Sequence, residues 1–177
     1  MKIDCWENFS EKTKEESLIQ VRNIFFESSS IDTFEDETHK EQFYQKWLGK
    51  YINKFPDYFL IAHENKIVLG YLVGCPDSLS HPELQQPVVG ERDDYKSYPF
   101  HLHMNCHKDY RGKGVGGKLL LKTEQLCRER GCSGLHLITK EGVLNQSFYE
   151  KYGHKLIRKK EINGNILVML GKSFQNA

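Results

Sequence analysis

The sequence predicts a single mixed α/β domain over residues 1–177, one central sheet flanked by helices. Three observations lead there. Apolar residues recur at helical spacing in four segments. Two pairs of apolar runs close over turn residues and read as β-hairpins. Between the hairpins lie two isolated strands, each followed by a helix, and no internal repeat is visible.

Each element follows from its own pattern. Residues 12–27 place Leu18, Val21 and Phe25 on one face, and 38–54 do the same with Phe43, Trp47 and Tyr51. Pro56 ends the second helix. DYFLIAHENKIVLGYLVG (57–74) is a hairpin turning at Glu64-Asn65. Residues 75–99 hold four prolines and no periodicity, so they read as a long loop, either functional or a tolerated insertion. FHLHMNCH (100–107) is a strand, and 114–130 a helix with the stripe Val115, Leu119, Thr123 and Leu126. Arg128 and Arg130 meet the negative helix end, and Gly131 stops it. GLHLITK (134–140) is the next strand and 144–152 a short helix. HKLIRKKEINGNILVML closes as a hairpin turning at Asn163-Gly164.

Composition excludes several classes. A net charge of +1 gives no global pull toward nucleic acid or membrane, although basic residues cluster at 111–118 and 155–160. No apolar run is long enough to span a bilayer, and MKIDCWENFSEKTKEE lacks the apolar core of a secretory signal. The five cysteines contain no CxxC pair, which argues against a disulfide framework or structural zinc and favours a reducing, cytoplasmic setting. A strand cysteine such as Cys106 reads first as a small core residue.

HKDYRGKGVGGKLLLKTEQLCRERG (107–131) carries the chemistry. Four glycines and three cations fall within Arg111–Lys118, immediately before a helix. Helix-start N–H groups lack partners and sit at the positive dipole end, and glycines let an anion approach the backbone. A P-loop is met by Gly112, Gly117 and Lys118 but ends in Leu119, which offers magnesium no hydroxyl. The pattern G-x-G-x-x-G is met by Gly112, Gly114 and Gly117, yet too little chain follows for a doubly wound sheet. The protein-kinase loop shares that pattern, but no HRD or DFG segment follows.

Arg111-Gly112-Lys113-Gly114-Val115-Gly116 is R-x-x-G-x-G between a strand and a helix. With Asn145-Gln146-Ser147-Phe148-Tyr149-Glu150-Lys151-Tyr152-Gly153, a compressed N-x-x-[AS]-x-x-F-Y-x-x-x-G segment, it resembles the GNAT superfamily of acyl-CoA-dependent N-acetyltransferases. His154 stands where that family has phenylalanine. YPFHLHMNCHKDYRGKG also resembles, more weakly, the acetyltransferase-like module of O-GlcNAcase relatives, which leaves open an inactive acyl-CoA-binding module.

The resemblance implies a mixed, mostly antiparallel twisted sheet with splayed central strands. It implies acetyl-CoA as co-substrate, no metal, and direct transfer to an amine acceptor through a ternary complex. It places the pyrophosphate on Arg111, Gly112, Lys113, Gly114, Val115, Gly116, Gly117 and Lys118. The pantetheine arm falls on Met104, Asn105 and Cys106, with Asn145 and Phe148 as further contacts. Asn145 also has a structural use as a helix cap. Tyr149 is the implied general acid, since a phenol of pKa about 10 returns a proton to a thiolate. No nucleic acid or membrane partner is expected, and the chain is a monomer or homodimer.

The base stays open. His101 and His103 share a strand face and resemble the paired strand histidines of aralkylamine N-acetyltransferases, shifted by one residue toward the turn. Asp57, Glu91 and Asp94 are the other candidates. Glu83, Glu91, Asp93 and Asp94 in the long loop would draw in a cationic amine or be simply solvated. Phe25, Phe26, Tyr44 and Trp47 would line an aromatic pocket or pack two helices together.

Overall fold

The chain runs β1 (Lys2–Cys5), α1 (Glu11–Glu27), α2 (Glu37–Tyr44), α3 (Lys50–Lys54), β2 (Phe59–Glu64), β3 (Ile67–Cys75), α4 (Arg92–Ser97), β4 (Phe100–Cys106), α5 (Val115–Glu129), β5 (Gly134–Lys140), α6 (Leu144–Lys151), β6 (Lys155–Ile162) and β7 (Asn165–Ser173). This computed structural model describes residues 1–29, 31, 33–84 and 87–174. Its strands follow the sheet order β1-β2-β3-β4-β5-β7-β6. The pairs β1–β2, β2–β3, β5–β7 and β6–β7 are antiparallel, and β4–β5 is parallel. The mixed, mostly antiparallel sheet expected from the sequence is therefore present. The chain packs as two compact units, Met1–Gly74 with His103–Thr123, and Cys75–Leu102 with the residues from Glu124 on.

In the first unit, β2 and β3 carry the core. Phe59–Ala62 and Val68–Gly74 are buried without a break, each large side chain worth roughly 1.5–3 kcal/mol. Helix α1 starts where Ser10 Oγ accepts the Thr13 N–H (3.3 Å), and it buries Val21, Ile24 and Phe25. Gln20 pins it to the hairpin, donating to the Lys66 carbonyl (3.0 Å) and accepting from the Val68 N–H (2.9 Å). The predicted helix 38–54 is there with one wide turn: a π segment, Gln45–Gly49, joins α2 to α3. The hairpin turns at Asn65-Lys66, one residue later than expected. Both residues are left-handed (φ 48° and 68°), as a two-residue turn between twisted strands requires. Strand β1 escaped sequence reading because four residues give too little alternation.

In the second unit, the described residues of 75–99 include a helix that a proline-rich loop does not suggest. The sequence Glu91-Arg92-Asp93-Asp94 starts α4, with the Glu91 N–H donating to Asp94 Oδ2 (2.9 Å). Buried Tyr95 takes the Val89 and Gly90 N–H groups on its hydroxyl (3.2 and 2.9 Å). The basic cluster at 155–160 serves this segment: Arg158 meets Asp94 (2.8 Å), and Lys160 donates to the Val88 carbonyl (3.1 Å). The β6–β7 hairpin turns at Asn163-Gly164 as predicted, with φ 51° and 73°.

In the second unit β4 pairs with β5 at Phe100↔Leu135 and His101↔His136. The two imidazoles stack there (4.9 Å, 7°), and the His136 Nδ1–H donates to the Tyr98 carbonyl. His136 Nε2 is buried without a partner. Its burial pushes the imidazole down to about 4. Burial and the Lys172 charge do the same to His154, also to about 4.

Stability should therefore depend on acid in a defined window. As pH falls through ~6.5 the unfolded chain takes up protons that these two rings refuse until pH 4. Their contribution is complete above that window, is lost progressively across it, and amounts to up to roughly 3 kcal/mol each. Calorimetry should show a Tm that drops across the window. His136→Asn, which keeps a donor but does not titrate, should flatten that slope. An equal slope in wild type and variant would contradict this account.

Candidate active site

The strand-to-helix turn lies in the first unit. After Cys106 the chain makes a short 3₁₀ turn, Lys108–Tyr110, tied down where the Tyr110 N–H donates to the His107 carbonyl (2.9 Å). Gly112 and Gly114 then take left-handed φ values of 73° and 81°. A side chain at either would be strained, by about 1–2 kcal/mol. A Cβ built on either meets nothing within 4 Å, so open space faces the bare backbone. Helix α5 opens with the Lys118 N–H donating to the Gly114 carbonyl (3.1 Å). The preceding N–H groups, at Val115, Gly116 and Gly117, therefore have no intrahelical acceptor. The Val115 side chain is buried, which leaves only its backbone for a ligand.

Three cations surround this cradle. Lys118 is exposed on the first turn, and Lys113 Nζ lies 5.2 Å from the Tyr110 ring centroid. Arg111 is partly occupied: Nε donates to the Cys106 carbonyl (3.2 Å) and an Nη to Ser28 Oγ (3.1 Å). It ties the end of β4 to the end of α1 as well as adding charge.

Strand β4 presents His103 and Asn105 to a cavity of about 170 Å³, lined also by Phe25, Phe43, Trp47 and Tyr71. The serines at the end of α1, Ser28 and Ser29, complete its rim. His103 Nε2 shares a hydrogen bond with the Tyr51 hydroxyl (3.1 Å), and its ring meets Trp47 and Tyr51 edge-on (5.6 and 5.0 Å). Asn105 Nδ2 donates to the Tyr71 hydroxyl (2.8 Å). Burial above all keeps Tyr71 protonated, its pKa raised. Burial likewise raises the Cys106 thiol, against the Arg111 charge, which suits a packing role.

Of the aromatics singled out in the sequence, Phe25 and Trp47 line this cavity. Phe26 and Tyr44 instead hold Arg22, whose guanidinium carbon lies 3.9 Å from the Tyr44 ring centroid. His101 is only 2% exposed and stacked on His136, a packing position rather than an accessible one. The loop acids have partners of their own. Asp93 pairs with Lys96 (2.6 Å), Glu83 with His81 (3.4 Å), and Glu91 and Asp94 with Arg158. Partial burial opposes ionisation of Asp94, but the Arg158 hydrogen bond and charge hold its pKa below the usual range, which makes it a poor base.

In the second unit Tyr149 is buried on α6, edge-on to Phe148 (5.0 Å) and to His154 (5.7 Å). His154 does more than replace an apolar ring. Its backbone N–H and its Nδ1–H both donate to the Tyr149 carbonyl (3.2 Å each), while Nε2 is buried without a partner. Asn145 is not the helix cap: Val143 occupies that position, and Gln146 Oε1 takes the Gly142 N–H (2.9 Å) instead. Asn145 is exposed and Phe148 half-buried.

The sequence profile of the acetyltransferase (GNAT) family matches residues 18–154. The chain belongs to the GNAT family. It is 30% identical over 90 residues to an acetyltransferase of Pectobacterium atrosepticum, the match covering 51% of each protein. The chain thus spans about half the length of that curated relative. Among solved structures, this GNAT protein superposes on SsHAT with a TM-score of 0.72 at 18% identity, covering 97% of both chains. It superposes on the PaiA N-acetyltransferase of Thermoplasma acidophilum, solved in complex with coenzyme A, with a TM-score of 0.63 at 14% identity, covering 98% of both. These likenesses establish the fold, and no membrane-spanning helix occurs among the described residues.

Gly114→Ala tests the cradle. The added methyl group occupies the open face and forces a left-handed alanine. Titration calorimetry should show coenzyme A affinity falling at least roughly tenfold, with a Tm drop of only a few degrees. Unchanged affinity would remove the turn from the binding site.

Proposed function

We propose that this protein is an acetyl-CoA-dependent N-acetyltransferase acting on a primary amine. The observation that carries this reading is the turn itself. Two left-handed glycines with open space beside their bare backbone lead into a helix start, in a chain of the GNAT family. Arg111, Lys113, Lys118 and the N–H groups of 115–117 would hold the pyrophosphate. Met104, Asn105 and Cys106 would hold the pantetheine arm along β4, where a main-chain N–H polarises the acyl carbonyl. When bound, the thioester supplies an activated acetyl group.

The residues then have separate tasks. The His103 imidazole accepts a proton from the acceptor ammonium, with Tyr51 fixing its ring. The Tyr149 hydroxyl returns a proton to the departing thiolate, and Asn145 and Phe148 add cofactor contacts. The acceptor occupies the cavity lined by Phe25, Phe43, Trp47 and Tyr71. Ring faces and hydroxyls in that lining would receive it. The free cysteines suit a reducing, cytoplasmic compartment.

An amine panel with acetyl-CoA, followed by release of free thiol, tests the reaction. Tyr149→Phe should lower kcat by about a hundredfold with little change in acetyl-CoA KM. His103→Asn should lower kcat near neutrality and recover as pH rises and the acceptor deprotonates itself. Coenzyme A binding with no turnover on any amine would reduce the protein to a binding module. Unchanged kcat in Tyr149→Phe would remove Tyr149 from its role.

A further inference from the structure

Helix α5 ends in a backbone motif that brings two thiols together. Gly131 is left-handed (φ 72°), its N–H donates to the Arg128 carbonyl (3.0 Å), and the Cys132 N–H reaches back to the Cys127 carbonyl (2.9 Å). This is the Schellman arrangement. In it the side chain two residues past the helix contacts the one in its last full turn, usually as an apolar pair. Here those two positions are Cys132 and Cys127, so the helix end sets the two thiols side by side. They are unlike in environment. Cys127 has no solvent exposure, whereas Cys132 is half-buried, with Sγ 3.2 Å from the Gly134 carbonyl oxygen.

We propose that Cys127 and Cys132 form an oxidation site for hydroperoxides, with Cys132 as the attacking thiol and Cys127 as the resolving one. The Cys127 thiol, foremost, lowers the pKa of Cys132, aided by backbone groups of Gly134 and Phe100 and opposed by burial and Asp77. The Cys132 thiolate attacks the terminal oxygen of the hydroperoxide. The O–O bond breaks, the alkoxide takes a proton and leaves as alcohol, and Cys132 becomes a sulfenic acid. Cys127 Sγ then attacks that sulfur. The S–O bond breaks, water leaves, and a disulfide forms across the helix end. The two thiols lose two electrons and the hydroperoxide gains them.

The other cysteines sit in different surroundings. Cys5 lies against the Pro56 and Asp57 carbonyls, Cys75 is buried beside the Asp77 carbonyl (3.5 Å), and burial raises the Cys106 thiol.

The test uses the folded full-length chain, hydrogen peroxide and a peptide map. Trypsin cuts between the two cysteines, so the expected product joins TEQLCR (123–128) to GCSGLHLITK (131–140), lighter by two hydrogens than the sum of the two. Free thiols should fall from five to three. Cys127→Ser should instead accumulate a dimedone-reactive sulfenic acid on Cys132, and Cys132→Ser should protect Cys127. Retention of all five thiols under excess peroxide would overturn the proposal, as would a disulfide between any other pair or a first dimedone adduct elsewhere. The wild-type map decides the matter even if a variant folds poorly.

Discussion

Gly70 is where three elements of the first unit converge on one bare Cα. A Cβ there would lie 3.0 Å from the Asn105 carbonyl oxygen, 3.1 Å from Val115 Cγ1 and 3.2 Å from Cys106 Sγ. One bare Cα thus seats β3 against the end of β4 and against the first residue of α5. The His107 N–H, donating to the Leu69 carbonyl (3.0 Å), locks the same spot. Both ends of the 107–114 turn are held in this way, and between them the bare backbone of Gly112 and Gly114 faces open space. The cavity inherits the same constraint, because Asn105 and its partner Tyr71 flank Gly70.

Much of the architecture was legible. Helical stripes, the Asn163-Gly164 turn and the glycine-rich strand-to-helix connection rest on local rules, and local rules survive folding. The misses were short or balanced on one residue. Strand β1 is four residues long, α4 is six, and the first hairpin turned at Asn65-Lys66 because two successive left-handed residues were needed. The cradle was readable because it is backbone chemistry in one contiguous stretch. The cavity was not, since Tyr51 and Tyr71 reach β4 from far away in the chain. No spacing rule links them to His103 and Asn105.

Charge and polarity divide along similar lines. The acids of residues 75–99 would in sequence draw in an amine or be simply solvated; in the fold Asp93 pairs with Lys96, Glu91 and Asp94 share Arg158, and Asp94 orders the segment. Meanwhile His154, which looked like a small loss of apolar contact, makes two bonds to the Tyr149 carbonyl and leaves a buried nitrogen unpaired. An unpaired buried group costs about 1–3 kcal/mol, which a phenylalanine would avoid. The polar ring is retained at the residue against which Tyr149 packs.

Strand β3 has a consequence for how the chain assembles. It is buried from Val68 to Cys75, and one of its edges is closed by β4. The covering residues, from His103 on, arrive only after the whole of 75–102, which belongs to the other unit. Until then an apolar, unpaired edge faces solvent, at a stage when non-local pairing is still slow. Two such chains present matching edges to each other. The hazard in folding is therefore bimolecular and sits at β3, so it grows with the square of chain concentration while correct closure does not.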